Sequence, residues 1–133
     1  MSNVLIATDA DWIRDDVVAA LADADTEVSR VHRGAEVVEA VAALAPELVI
    51  LDMQIGSMGG IATCHSLRLE AGAGRLNPVK VLLLLDRGDD RFLAGTSGAD
   101  GWLVKPIDAF SLQRAVRKVL AGERVEQSRS ALA

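Results

Sequence analysis

Five short segments of the chain carry mostly apolar side chains and end at polar or charged residues. Residues 4–7, 48–51 and 79–85 are almost entirely apolar, which is typical of strands covered on both faces of a parallel sheet. Residues 27–31 interleave polar and apolar side chains and indicate a half-exposed strand. Residues 101–104 form the last apolar segment, so the pattern predicts five β-strands.

Amphipathic helical patterns separate these segments. The predicted helices span residues 12–22, 35–44, 61–70, a weak glycine-interrupted stretch 89–97, and 109–120. Asp11 and Asp108 stand directly before the first and last of them, where an aspartate is a good N-cap. Strands and helices therefore alternate along the whole chain.

This alternation predicts an α/β fold of the flavodoxin-like (βα)5 type, a three-layer sandwich around a parallel five-stranded sheet of order 2-1-3-4-5. We expect one domain over residues 1–121 and a polar, disordered tail over 122–133. The carboxyl ends of strands 1, 3 and 5 meet at the switch point of such a sheet. Asp9, Asp52 and Lys105 follow those three strands and are expected to converge there.

Composition narrows the function classes. The chain of 133 residues is half hydrophobic and carries a formal net charge of −5, which argues against a nucleic-acid-binding surface. No apolar run approaches the roughly 20 residues that span a bilayer, and residues 1–6 do not form a signal peptide. These features predict a cytoplasmic protein.

Two carboxylates and a lysine that converge at strand ends can perform phosphoryl chemistry. Asp9 and Asp52 could hold a Mg²⁺ ion, which binds to few protein oxygens and keeps several waters. A carboxylate in that position can attack phosphorus as a nucleophile. Lys105 could pair with a carboxylate at rest and with a phosphoryl oxygen afterwards.

Three segments resemble the signatures of two-component response-regulator receiver domains. Residues 4–11 (VLIATDAD) are similar to the opening strand, residues 48–60 (LVILDMQIGSMGG) to the phosphoacceptor strand and its loop, and residues 98–106 (GADGWLVKP) to the final signature. The resemblance covers residues 3–121. The chain resembles in particular the atypical, single-domain receivers similar to those of actinobacteria.

The resemblance implies a role for each matching residue. Asp52 would be the phosphoacceptor, and Asp9 and the backbone carbonyl of Gln54 would join it in binding Mg²⁺. Lys105 would be the site lysine, followed by a cis peptide bond to proline. Trp102 would occupy the place of the switch aromatic.

The sequence departs from the family pattern at positions that matter. Thr8 replaces the first acid of the acidic pair, so Mg²⁺ binding should weaken, and Asp11 is a possible substitute. Where the family has a serine or threonine after the fourth strand, this chain offers Leu85 or Asp86; leucine cannot donate a hydrogen bond and aspartate would repel a phosphoryl group. Gly56 replaces the loop proline and should loosen the loop.

The function expected from the resemblance is an atypical single-domain response regulator, with no enzymatic activity beyond self-phosphorylation and autodephosphorylation. Its partners would be a histidine kinase or another phosphodonor, a downstream protein that binds the last strand and helix (residues 102–120), and a second copy in a homodimer. The first alternative is a pseudo-receiver that binds its partner without phosphorylation.

Two further alternatives come from other classes. A flavodoxin-like cofactor carrier would need a phosphate-binding loop after the first strand, but residues 8–12 are acidic and contain no glycine. A DNA-binding role would need a basic surface that the charge balance does not supply.

Overall fold

A computed structural model describes residues 2–22 and 25–126. Within these residues the strands are β1 (Ser2–Ala7), β2 (Thr26–Val31), β3 (Leu48–Asp52), β4 (Lys80–Leu85), β5 (Gly101–Val104) and β6 (Val125–Glu126). The helices are α1 (Asp11–Leu21), α2 (Val37–Leu44), α3 (Gly60–Gly72), α4 (Arg91–Thr96) and α5 (Ala109–Leu120). A single 3₁₀ turn precedes each of α2 and α4.

The strands form one parallel sheet of order β2-β1-β3-β4-β5-β6. Its first five members confirm the predicted flavodoxin-like order 2-1-3-4-5. None of the helices in the described part of the chain is long and apolar enough to cross a membrane.

Alternate residues of the central strands pack against different helical layers. Leu48, Ile50, Leu82 and Leu84 join a buried cluster with residues of α1 and α5. Their neighbours along the strands join a second cluster with residues of α2, α3 and α4. All five residues of β3 are buried, which is why β3 shows no polar alternation in the sequence.

Residues 122–126 depart from the prediction of a disordered tail over residues 122–133. Val125–Glu126 pairs in parallel with β5, where Gly101 faces Val125 in the register. The Val125 side chain is buried in the cluster beneath α5. Residues 127–133 lie outside the described residues, so the prediction for that part stays a prediction.

The two predicted helix caps have different outcomes. Asp108 is the N-cap of α5, and its carboxylate accepts hydrogen bonds from the Ser111 backbone N–H at 2.7 Å and the Ser111 hydroxyl at 2.8 Å. The prediction for Asp11 is wrong, because α1 begins at Asp11 itself and its N-cap is Ala10, which makes no side-chain cap. The Asp11 carboxylate pairs instead with Arg30 of β2.

Candidate functional site

Strand register brings the candidate residues together at the carboxyl edge of the sheet. Ala7 of β1 lies opposite Leu51 of β3, so Thr8 comes beside Asp52. Leu85 of β4 lies opposite Val104 of β5, so Asp86 comes beside Lys105. The Lys105–Pro106 peptide bond is cis, as the resemblance implied.

Asp52, the last residue of β3, is almost completely buried, with 3% of its surface exposed. Its Oδ2 accepts a hydrogen bond from the Thr8 hydroxyl at 2.6 Å. Its Oδ1 accepts from Lys105 Nζ at 2.6 Å and from the Gln54 backbone N–H at 3.1 Å. Both carboxylate oxygens are therefore held by donors from this chain.

Thr8 is fully buried and has its own hydrogen bonds satisfied. Its hydroxyl accepts from the Ala10 backbone N–H at 3.1 Å while donating its hydrogen to Asp52. A threonine hydroxyl has one hydrogen to give, so it is committed to this contact. Thr8 thus acts here as a donor to Asp52, whereas the acid it replaces would be an acceptor.

Lys105 joins Asp52 to a second carboxylate, Asp86. Its Nζ donates to Asp86 Oδ1 at 2.8 Å, and the Gln54 side-chain amide donates to Asp86 Oδ2 at 2.6 Å. Of the two residues that could have replaced the family hydroxyl, Leu85 is fully buried in the core and Asp86 enters the site. The network therefore runs Thr8–Asp52–Lys105–Asp86–Gln54.

The contacts of Lys105 shift the pKa values of both Asp86 and Lys105. Burial, the largest single influence, raises the pKa of Asp86, but hydrogen bonds from Lys105 and Gln54 and the lysine charge hold that pKa below its ordinary value. Burial likewise lowers the pKa of Lys105, but hydrogen bonds and charges from Asp52 and Asp86 raise it above its ordinary value. The network is thus charged at neutral pH at both Asp86 and Lys105.

Asp9 lies at the same edge but makes a different contact. Its exposed carboxylate accepts a hydrogen bond from the Gly56 backbone N–H at 2.9 Å, in the loop after β3. A Cβ atom at position 56 would lie 2.7 Å from Asp9 Oδ2. Gly56, predicted to loosen the loop, therefore allows a close contact that ties this loop to the end of β1.

This donor set does not fit a Mg²⁺ site. Mg²⁺ needs oxygen ligands with free lone pairs in near-octahedral geometry, whereas Asp52 is surrounded by an ammonium, a hydroxyl and an amide. Asp9 is turned to Gly56. In the part of the chain that the structure describes, no three Asp, Glu, His or Cys side chains are grouped so that they could share a metal ion.

Arg30 is a contributor to the site that the sequence analysis missed. Its largely buried guanidinium reaches from β2, donating from Nε to the Thr8 carbonyl at 3.0 Å and from Nη1 to Asp11 Oδ1 at 2.6 Å. The hydrogen bond from Arg30 is the main reason that the pKa of Asp11 is lowered. Asp11 therefore pairs with Arg30 and does not act as the substitute metal ligand.

The resemblance also implied roles for Trp102 and Gln54. Trp102 is buried and lies in the cluster with α4, and its indole N–H has no acceptor among the residues that the structure describes. The side chain of Gln54 binds Asp86, a contact that the resemblance did not imply. Met53, Gln54, Ile55, Asp86, Arg87 and Asp90 line an open cleft of about 460 Å³ beside the network.

Comparisons with known proteins point to one family. A family model described as the response regulator receiver domain matches residues 4–117. The nitrate/nitrite response regulator protein NarL of Escherichia coli (strain K12) is 29% identical over 126 residues, covering 93% of this chain and 57% of the relative. The DNA-binding transcriptional activator DevR/DosR of Mycobacterium tuberculosis (strain ATCC 25618 / H37Rv) is 31% identical over 138 residues, covering 100% of this chain and 61% of the relative.

A solved structure shows the same fold. The chemotaxis response regulator CheY4 of Vibrio cholerae superposes with a TM-score of 0.77 at 26% identity, over 90% of this chain and 98% of that one. The chain spans about three-fifths of the length of the two curated relatives.

Proposed function

Because the chain belongs to the response regulator receiver domain family, we propose that it is a two-component signalling module that acts through protein–protein contact while its pocket stays closed around Asp52 without phosphorylation. This is the pseudo-receiver alternative of the sequence analysis. The observation that carries it is the contact of Lys105 with both Asp52 and Asp86.

The Asp86 carboxylate already pairs with the Lys105 ammonium group, whose positive charge a phosphoryl group on Asp52 would need. Lys105 Nζ lies 2.8 Å from Asp86 Oδ1 and 2.6 Å from Asp52 Oδ1. Phosphorylation would replace the Asp52 carboxylate with a group that carries close to two negative charges, beside the Asp86 carboxylate, which is already ionised. Neighbouring like charges disfavour one another, so the Asp86 carboxylate opposes modification.

The described network also lacks a donor that could transmit phosphorylation to the surface. The resemblance implies a hydroxyl after β4 that binds the phosphoryl group and moves with the next helix. Here Leu85 has no polar group, and Asp86 ionised is only an acceptor. A phosphoryl group could shift the domain between two states only by binding one state more tightly than the other. The position after β4 supplies no hydrogen bond that would create such a difference.

The surface that would bind a partner includes exposed apolar side chains beside β5. Phe92 and Leu93 of α4 are 77% and 50% exposed, and Phe110 at the start of α5 is 66% exposed. Both helices pack against β5. Exposed aromatic side chains are a common feature of protein-binding sites. We therefore extend the predicted partner face from residues 102–120 to include α4.

Phosphorylation of Asp52 by a histidine kinase or a small phosphodonor is the second candidate. The direct contact between Lys105 and Asp52 favours it, because this pair matches the phosphoacceptor and site lysine of the family. It requires that Thr8 and Asp86 rearrange when a phosphodonor and Mg²⁺ bind.

One experiment separates the two candidates. The protein is incubated with Mg²⁺ and acetyl phosphate, and intact mass is measured for wild type, Asp52→Asn, and the double variant Thr8→Asp with Asp86→Thr. We expect no phosphoryl adduct on wild type and an adduct on the double variant, which regains the acid and the hydroxyl of the family. The positive control shows that the assay can detect the modification.

The opposite result is equally clear. A wild-type adduct that Asp52→Asn abolishes would overturn the closed-pocket proposal and establish the second candidate. Beryllofluoride provides an independent measurement: it should change the fluorescence of Trp102 in the double variant and leave wild type unchanged.

A further inference from the structure

The segment after α5 turns back and runs along the sheet. Gly122 has a φ of +86°, in the left-handed region that ends helices. The Glu123 backbone N–H then donates to the Lys118 carbonyl at 2.8 Å. The reversal lets Val125–Glu126 add a sixth strand to the free edge of β5. We call residues 122–126 the strap.

The strap is attached to β5 by side chains as well as by strand pairing. The Val125 side chain is buried in the cluster under α5. The Arg124 guanidinium lies over the Trp102 ring, 5.5 Å from its centroid, at cation–π distance. Arg124 Nη1 also donates to the Ala99 carbonyl at 3.2 Å. The strap therefore covers both the edge of β5 and one face of Trp102.

We propose that the strap is a releasable cover on the partner face, and that its release frees the β5 edge and Trp102 to bind an extended segment of a partner protein in the place that the extended residues Val125–Glu126 now fill. The docking part rests on the proposed function, whereas the cover itself rests only on the contacts of residues 122–126. An uncovered strand edge offers a row of backbone donors and acceptors that an extended segment of another protein can pair with.

Several observations indicate that the closed state is held weakly. In the part of the chain that the structure describes, two residues of the strap pair with β5, and so short a pairing opens at low cost compared with the core. Among the described residues, the buried Trp102 indole N–H has no acceptor, so the closed state leaves this polar group unsatisfied there. Opening gives this N–H access to water or to an acceptor on a partner.

Gly101 provides a substitution aimed at the strap alone. The three atoms nearest to a Cβ at this position all belong to Val125, with its carbonyl oxygen at 2.7 Å. Gly101→Ala should therefore displace the strap and leave the rest of β5 in place. Gly122→Ala is a second, independent variant, because its Cβ meets nothing within 4 Å and only the left-handed backbone at the start of the strap is strained.

Matched controls exist elsewhere in the fold. Gly72→Ala adds a Cβ that also meets nothing, at the end of α3. Gly74→Ala matches Gly122→Ala, because Gly74 has a φ of +77° in open space. All four variants are made in the full chain with Trp12→Phe, so that Trp102 is the sole tryptophan.

The measurements are acrylamide quenching of Trp102 and amide hydrogen exchange of residues 101–104. We expect a severalfold rise in both quenching and exchange for Gly101→Ala and Gly122→Ala, and no rise for Gly72→Ala or Gly74→Ala. Circular dichroism identifies any variant that fails to fold. If Gly101→Ala folds and its Trp102 and β5 amides stay as protected as in wild type, the cover proposal is overturned.

The docking part has its own readout. The hydrophobic dye ANS should bind more strongly to Gly101→Ala than to Gly72→Ala if strap release enlarges the apolar partner face, and equal binding would overturn this part. The phosphoryl mass assay is independent of both results. A wild-type adduct at Asp52 would therefore refute the proposed function without affecting the strap.

Discussion

Thr8 has a small side chain with a large influence on the site, because its hydroxyl satisfies a buried carboxylate. A buried polar group that loses its partner costs about 1–3 kcal/mol. The contact from Thr8 Oγ1 to Asp52 Oδ2 at 2.6 Å lies where solvent hardly reaches, since Asp52 is 3% exposed. The hydroxyl therefore stabilises the fold as well as closing the site.

Thr8→Val should lower the free energy of unfolding by about 1–3 kcal/mol, because valine keeps the shape and removes the donor to Asp52. Urea unfolding followed by circular dichroism measures it. Thr96→Val is the matched control: the Thr96 hydroxyl donates to the Leu93 carbonyl on an exposed helix end, where water replaces the lost partner. Equal stability of Thr8→Val and wild type would show that Asp52 does not depend on this hydrogen bond.

The lowered pKa of Asp86 predicts a pH dependence with a definite sign. A carboxyl group with a lower pKa in the folded than in the unfolded chain stabilises the fold above its unfolded pKa of about 3.9. That stabilisation is lost as the pH falls through the folded pKa. Asp86→Asn should therefore lose more stability at pH 7 than at pH 3.

Urea unfolding of wild type and Asp86→Asn at a series of pH values measures this difference. Asp89→Asn, an exposed acid nearby, is the control. A stability difference between wild type and Asp86→Asn that stays constant from pH 3 to 7 would contradict the assigned ion pair with Lys105.

At the scale of elements, Asp11 and Asp108 show what sequence patterns can predict. Both precede a helical pattern, yet only Asp108 caps its helix. Arg30, which lies 19 positions further along the chain, donates a hydrogen bond to Asp11. The local sequence around Asp11 does not indicate this partner. The proximity of Asp52 and Lys105 was predictable, because both lie at the carboxyl ends of parallel strands, which share one edge of the sheet.

Other parts of the site depend on contacts that periodicity does not encode. Gln54 was assigned a role through its backbone carbonyl, but its side chain binds Asp86. The strap was predicted to be disordered, because residues 122–126 contain a single apolar side chain, Val125. One valine gives no periodic signal, although Gly101 leaves the space that it needs.

The cap of α5 gives a prediction at this scale. Asp108→Ala should lower the free energy of unfolding by about 1 kcal/mol, the typical value for losing an N-cap carboxylate. Thermal or urea unfolding measures it, with Asp16→Ala, an exposed acid on α1, as the control. If Asp108→Ala and Asp16→Ala had the same effect, the hydrogen bonds that Ser111 donates to Asp108 would not stabilise α5.

For the whole molecule, the sheet divides the core into two buried clusters that share its strands. Val49 and Leu51 face one cluster, and Leu48 and Ile50 face the other. Because each central strand contributes to both clusters, loss of either helical layer would expose one face of every central strand. The two layers should therefore unfold together, as small single domains usually do.

The two tryptophans test this cooperativity directly. Trp12 lies on α1, on the side of the sheet that packs α1 and α5, whereas Trp102 is buried in the cluster with α2, α3 and α4. In the single-tryptophan variants Trp12→Phe and Trp102→Phe, urea transitions followed by fluorescence and by circular dichroism should coincide within each variant. Transitions that separate would show that one layer unfolds first. Coincidence would mean that the stability of the Asp52 network at the shared strand ends depends on both layers at once.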